Sequence, residues 1–390
     1  MKLFYYICFL MLPAVSYSQH RYPFSVAEKS FAALKYADAI FYYNKVLRKD
    51  SLNKEAVIHL AESYYKTQQY APALRFYEKS LQLPSPDNTS YYRYGQLLAM
   101  QGRYQESAAA YRTYLGKGLG DENLRKTALL YEQGVNALYR DTASVHLALL
   151  NINSAYADFS PVFHLHGLLF VSDRPLPKVF KRTNGWNGGN FLQVYRMADT
   201  ALIKGATLRT PSLEAMLSYA PGNVRNNDNN RLSSNDSKII GADPQFNFVE
   251  APNQLSVKTV ALYDSRLTNK YHTGPVAFNT RMDTLFLTRN QRMANGKSIN
   301  RLGLDILVAR HDGWELQHDF PFNSEAYSIG QPAPHPDGHV LFFTSDMPGG
   351  FGGKDIYYSV RTDSGWGKPV NAGPFVNTAG DEMFPYVAAS

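Results

Sequence analysis

The chain has 390 residues, 44% of them hydrophobic and 19% charged, with a formal net charge of +7. That length allows two or three domains, and that composition describes a foldable globular protein. Basic and acidic residues are interspersed, no run of five or more like charges occurs, and no nucleic-acid motif is present, so nucleic acid is not an expected partner.

The first element is a processing segment. Lys2 supplies a positive start, Leu3 to Val15 is apolar but short for a membrane span, and Ser16-Tyr17-Ser18 offers small residues where a signal peptidase reads. This predicts a signal peptide over 1–18 with cleavage before Gln19, the alternative being a retained anchor. Cys8, the single cysteine, lies inside the segment, so the mature chain is expected to hold no disulfide, no Cys-ligated metal and no acceptor for a lipid. No later stretch is apolar enough to span a membrane. The expectation is an exported, soluble chain without cofactors.

Residues 22–142 read as helix pairs. Tyr36, Tyr70 and Tyr104 recur every 34 residues, and the segments after them align without gaps: Tyr43/Tyr77/Tyr111 and Leu47/Leu81/Leu115 fall at equal offsets. Ala27, Ala61 and Gly95 place a small residue in register in the preceding helix. The spacing predicts a turn at Lys66-Thr67-Gln68-Gln69, a helix from Tyr70 with Pro72 in its first turn, and a break at Gly116–Gly120. Asn123–Arg140 reads as one more helix that caps the array. A 34-residue unit with these positions resembles the tetratricopeptide repeat, a helix-turn-helix module. The resemblance implies an α-solenoid whose groove is lined by the first helix of each pair. By register Glu28, Phe31, Ile58, Glu62, Tyr65, Tyr92, Gln96 and Ala99 face that groove. They either bind a peptide or another protein, or are covered by the chain's own downstream domain. The repeating tyrosines and alanines are packing residues.

From about residue 145 the helical period stops and short apolar runs alternate with Gly, Pro, Asn and Asp clusters, the pattern of β structure. Three segments repeat a proline, a strand and a further strand. They are Ser160–Phe163, Leu168–Arg174 and Leu192–Tyr195; Gly274–Ala277, Thr284–Asn290 and Leu304–Leu307; and Gln331–Pro334, Val340–Asp346 and Lys354–Tyr358. A fourth opens at Met383–Val387. Pro275, Pro332 and Pro385 are 57 and 53 residues apart, close to propeller-blade periods. The run from Phe343 to Ser359, with Gly365–Val387, resembles the WD40-like (PD40) β-propeller blades of exported Bacteroidota proteins. The resemblance is strong over 271–390, looser in the first blade, and interrupted by a polar insertion near 205–250 that includes Asn226–Asn230 and Ser233–Ser237.

Tetratricopeptide repeats followed by PD40 blades resemble the front half of OmpA-family envelope proteins, including PorE-like components of type IX secretion and gliding. The resemblance implies a periplasmic, outer-membrane-associated scaffold whose partners are envelope or secretion-machinery proteins. Peptidoglycan is a partner only through an OmpA-type domain beyond Ser390, where the sequence is expected to continue because three blades and a fragment leave a sheet edge open. The alternative is a propeller-based glycan- or peptide-binding module, hydrolytic or not.

Chemistry-bearing motifs are few. Pro348–Lys354 is glycine-dense and ends in lysine, but a strand rather than a helix follows, so it reads as a hairpin turn and not a phosphate loop. Phe342, Ser345, Asp346, Gly349, Gly350, Gly352, Gly353, Asp355, Asp381 and Glu382 are structural blade-motif positions, with Ser345, Asp346 and Asp355 expected to bond the turn's backbone. Asp381 and Glu382, adjacent on a strand, point to opposite faces and form no acid/base pair. His164 and His166 read as alternating on one strand face, half of a metal site with no third ligand. No Gly-x-Ser-x-Gly elbow occurs. The chain is therefore expected not to be an enzyme and to hold no catalytic or metal residues.

Overall fold

The computed structural model describes residues 23–135, 148–154, 156–175, 183–207, 259–268, 271–292 and 298–388. They form two compact units, one of helices and one of strands; Thr183–Gly189 belong to the helical unit. The expected signal peptide and the Asn226–Asn230 and Ser233–Ser237 stretches lie outside the described residues.

The helices are α1 (residues 23–32), then α2 (Tyr36–Leu47), α3 (Lys54–Lys66), α4 (Tyr70–Leu81), α5 (Asn88–Met100), α6 (Tyr104–Gly116) and α7 (Glu122–Gln133). From α2 onward each packs chiefly on the next in sequence, the one-dimensional arrangement of a solenoid. Asn53, Asp87 and Asp121 cap α3, α5 and α7 by accepting the N–H of Ala56, Ser90 and Leu124. Helices α2, α4 and α6 have no side-chain cap. Each instead follows a turn with one left-handed residue: Leu34, Gln68 or Gly102, at φ 57, 61 and 73. The next N–H reaches back to close the preceding helix, Lys35 to Ser30 at 2.8 Å, Gln69 to Tyr64 at 2.8 Å and Arg103 to Leu98 at 2.9 Å. The turn thus repeats in register although only its third copy carries glycine.

Ala27, Ala61, Tyr43, Tyr77 and Tyr111 are all buried. At Gly95, the third small position, a methyl group would lie 2.5 Å from the Tyr111 ring. The last helix is shorter than expected. It stops at Gln133, because Gly134 takes φ 118, a conformation that ends the α-helical run. Among the described residues no helix is long and apolar enough to cross a membrane.

The strand unit holds three antiparallel sheets of four or five strands and one two-stranded sheet. The two-stranded one joins β1 (Ala148–Leu150) to β5 (Gly205–Thr207), so the expected insertion begins with a short strand. The first blade is β2 (Asp158–His164), β3 (Gly167–Ser172), β4 (Gln193–Met197) and β6 (Val260–Leu262); its fourth strand arrives only after the segment 208–258. The second is β7 (Thr273–Phe278), β8 (Thr284–Arg292), β9 (Ser298–Arg310) and β10 (Gly313–Asp319). The third is β11 (Ile329–Pro334), β12 (Val340–Ser345), β13 (Asp355–Thr362) and β14 (Gly365–Trp366), with β15 (Val370–Asn371) also on β13.

Each blade opens with the same backbone device. Ser160, Gly274 and Gln331 precede a proline at positive φ, and the ladder shifts register at that point. Proline offers no N–H to a ladder, so a bulge is where a strand tolerates it. Phe384, before Pro385, has φ 57 and begins a fourth copy. At the end of each second strand Asp173, Asn290 and Asp346 accept the N–H of Ala157, His272 and Ser328. Leu169, Val276, Leu285 and Leu287 share one core between the first two blades. Phe286, Ile329, Leu341 and Phe343 share another between the second and third. The architecture is an α-solenoid followed by propeller-type blades.

Candidate functional site

The expected groove positions are all half-buried, and the structure joins those with polar or aromatic side chains into a ladder. In the first rung, Tyr43 donates to Glu28 at 2.6 Å, His59 Nδ1 lies 2.8 Å from the same carboxylate, and the His59 ring stacks on Phe31 at 4.4 Å. The second rung repeats it 34 residues on. Tyr77 donates to Glu62, Arg93 Nε lies 3.7 Å from Glu62, and the Arg93 guanidinium lies 4.5 Å from the Tyr65 ring centre. Burial, reinforced by the facing glutamate, raises the pKa of both Tyr43 and Tyr77 well above the ordinary tyrosine value. Both hydroxyls therefore remain donors. Each rung ties a helix pair to the next one: an acid, a tyrosine hydroxyl, a basic side chain and an aromatic ring.

The third rung breaks the series. Gln96 stands in the acid's register, Ala99 in the aromatic's and Thr127 in that of the basic residue. Gln96 turns back to the second rung, accepting from Tyr65 at 3.2 Å and Arg93 at 3.0 Å and donating to Tyr92 at 3.1 Å. Where the third basic side chain would sit, a cleft of about 430 Å³ opens, lined by Tyr92, Tyr111, Tyr114, Asp121, Leu124 and Thr127.

Glu28 and Phe31 thus meet in one rung, and Glu62, Tyr65, Gln96 and Tyr92 in the next, while Ile58 makes no rung contact among the bonds described and is half-buried apolar surface. His59, Arg93, Tyr111 and Asp121 were not read as site residues. The signal for the first two was present, since they too are 34 residues apart and 31 beyond each glutamate. Trp186, within the helical unit, packs edge-on against Tyr36 at 4.9 Å and donates to the Lys66 carbonyl at 2.9 Å. These contacts lie at the turns within the helix pairs rather than on the rungs.

In the third blade Asp355 accepts from Phe351 and Gly352 at 2.6 and 3.1 Å, holding the glycine turn, and Ser345 accepts from Met347. Asp346 departs from the expected role and caps Ser328 instead, because its side chain serves the strand-end device described above. Gly349 is at φ 90, and a methyl on Gly352 would collide with the Gly380 carbonyl. Gly350 lies against Asp355 and Gly353 against Asp381. Phe342 stacks near Tyr358 at 5.8 Å. Glu382 accepts from Thr378, while Lys354 bridges Asp381 in the backbone.

The shared histidine face is corrected. His164 ends β2 and pairs with Gly167 across a two-residue turn through Leu165, at φ 54, and His166, so His166 is not on the strand. His164 lies against Phe278, its pKa lowered by burial and by Arg196.

The family model for the anaphase-promoting complex, cyclosome, subunit 3, matches residues 32–114. A solved structure described as the crystal structure of MamA protein is similar at 17% identity, covering 33% of this chain and 97% of that one, with a TM-score of 0.18. No curated protein matches. The helical unit is of the tetratricopeptide class, whose stacked pairs suit protein–protein contact.

Proposed function

We propose that the chain is a non-enzymatic, exported scaffold that binds envelope or secretion-machinery proteins at the periplasmic side of the outer membrane, in the manner of the OmpA-family and type IX secretion proteins its blades resemble. The observation that carries the reading is the ladder. Its acid, tyrosine and aromatic groups bond and stack across helix pairs, which pre-orders the helix face and lowers the ordering cost of association. The leader-like first 18 residues support export.

The test is fractionation of cells producing the native chain or Ile58→Glu. Ile58 makes none of the rung bonds, so the substitution alters the groove surface while leaving the ladder intact. The native chain is expected in the periplasm, co-sedimenting with outer membrane, and the variant in the soluble periplasmic fraction. Recovery of the native chain in the cytoplasm, or equal sedimentation of a folded variant, contradicts the proposal.

A further inference from the structure

The third rung lacks the basic side chain that the first two contain, His59 and Arg93, and its place is a cleft rather than packed side chains. Tyr92 faces Tyr111 with ring centres 5.9 Å apart and Tyr114 at 5.5 Å. Asp121 uses Oδ1 to accept from Leu124 at 2.8 Å, and among the described residues no cation pairs with its carboxylate. Arg93 lies 5.8 Å from the Tyr92 ring centre but is already paired with Glu62. Lys117 lies over Tyr91, and Arg112 and Arg125 pair with Glu132 and Glu122. Apart from the exposed Lys126, these neighbouring basic residues are engaged elsewhere, whereas the cleft presents tyrosine faces and a carboxylate.

We propose that this cleft binds the cationic side chain of a partner's extended peptide, arginine in preference to lysine, which completes the third rung from outside. The inference rests on the scaffold reading and names its partner chemistry. A guanidinium stacks on aromatic faces and bonds a carboxylate through a planar fork, as Arg93 already stacks on Tyr65 in the rung before. The helix end at Asp121 is not the basis of the site; the register gap, the cleft and the ring cluster are.

The test titrates the 390-residue chain with acetyl-Gly-Arg-Gly-amide and its citrulline counterpart, a neutral isostere, following tyrosine ring signals by NMR. The arginine peptide is expected to shift the signals of Tyr92, Tyr111 and Tyr114, and the citrulline peptide to bind about tenfold more weakly or not at all. Asp121→Asn keeps a helix-capping side chain and should weaken arginine binding about tenfold. Thr127→Arg supplies the missing cation from within and should abolish it. Equal binding of the two peptides, no shift of the three tyrosines, or undiminished binding to a folded Thr127→Arg or Asp121→Asn protein overturns the inference. If the peptide fails while groove crosslinks to partners persist, this inference falls and the scaffold reading stands; if both fail, both fall.

Discussion

In the helical unit, successive copies are joined by side chains: Glu28 and Glu62 each collect a tyrosine from their own helix pair and a basic side chain from the next. In the strand unit, each copy is defined by backbone devices, the left-handed residue before proline and the strand-end side chain that accepts an N–H. Blade meets blade through apolar cores. The difference teaches where recognition chemistry can vary. A side-chain ladder can lose members and open a site, as the third rung does where Gln96, Ala99 and Thr127 replace the acid, the ring and the basic residue.

The comparison can be broken first at the apolar joint. Leu285→Ala deletes a fully buried side chain between blades and should cost about 2–5 kcal/mol in denaturant unfolding followed through Trp314, which packs on that core. Glu62→Ala strands the buried Tyr77 hydroxyl and unpairs Arg93, for a loss of about 2–3 kcal/mol in the helical transition followed by circular dichroism. Glu62→Gln, which copies the natural third rung, should cost less. Gly95→Ala forces the Tyr111 ring aside and should cost about 1–2 kcal/mol, although the first two repeats carry alanine at this position.

A pH dependence is expected in the strand unit. Leu192 N–H donates to His272 Nδ1 at 3.1 Å, and burial lowers the His272 pKa from 6.5 to about 4. As pH falls through 6.5 the unfolded chain takes up a proton that the folded chain refuses until about 4. Stability should fall across that window, by up to about 3 kcal/mol. His272→Asn offers an acceptor in a similar place without titrating, so its urea midpoint should be flatter between those pH values; an unchanged slope would remove His272 from the account.

The 34-residue period made the helix pairs and most groove positions legible, and the prolines marked the opening strand of every blade. The basic members of the ladder were less visible because His59 and Arg93 share no residue type, only a register. The third-rung cleft was hidden for the complementary reason: Thr127 is informative only when set beside what occupies the same position in the other rungs. The His164/His166 reading failed because Leu165 takes a left-handed turn that alternating sequence does not announce. The end of α7 was similarly set by one local conformation, at Gly134.

The most direct test of the central claim is site-specific photocrosslinking in cells, with benzoylphenylalanine replacing either Tyr65 on the ladder or Phe41, which is 55% exposed on α2. The account predicts discrete protein adducts from position 65 and none from position 41. Equal adducts from both, or none from position 65 in a folded protein, would contradict a groove-based scaffold.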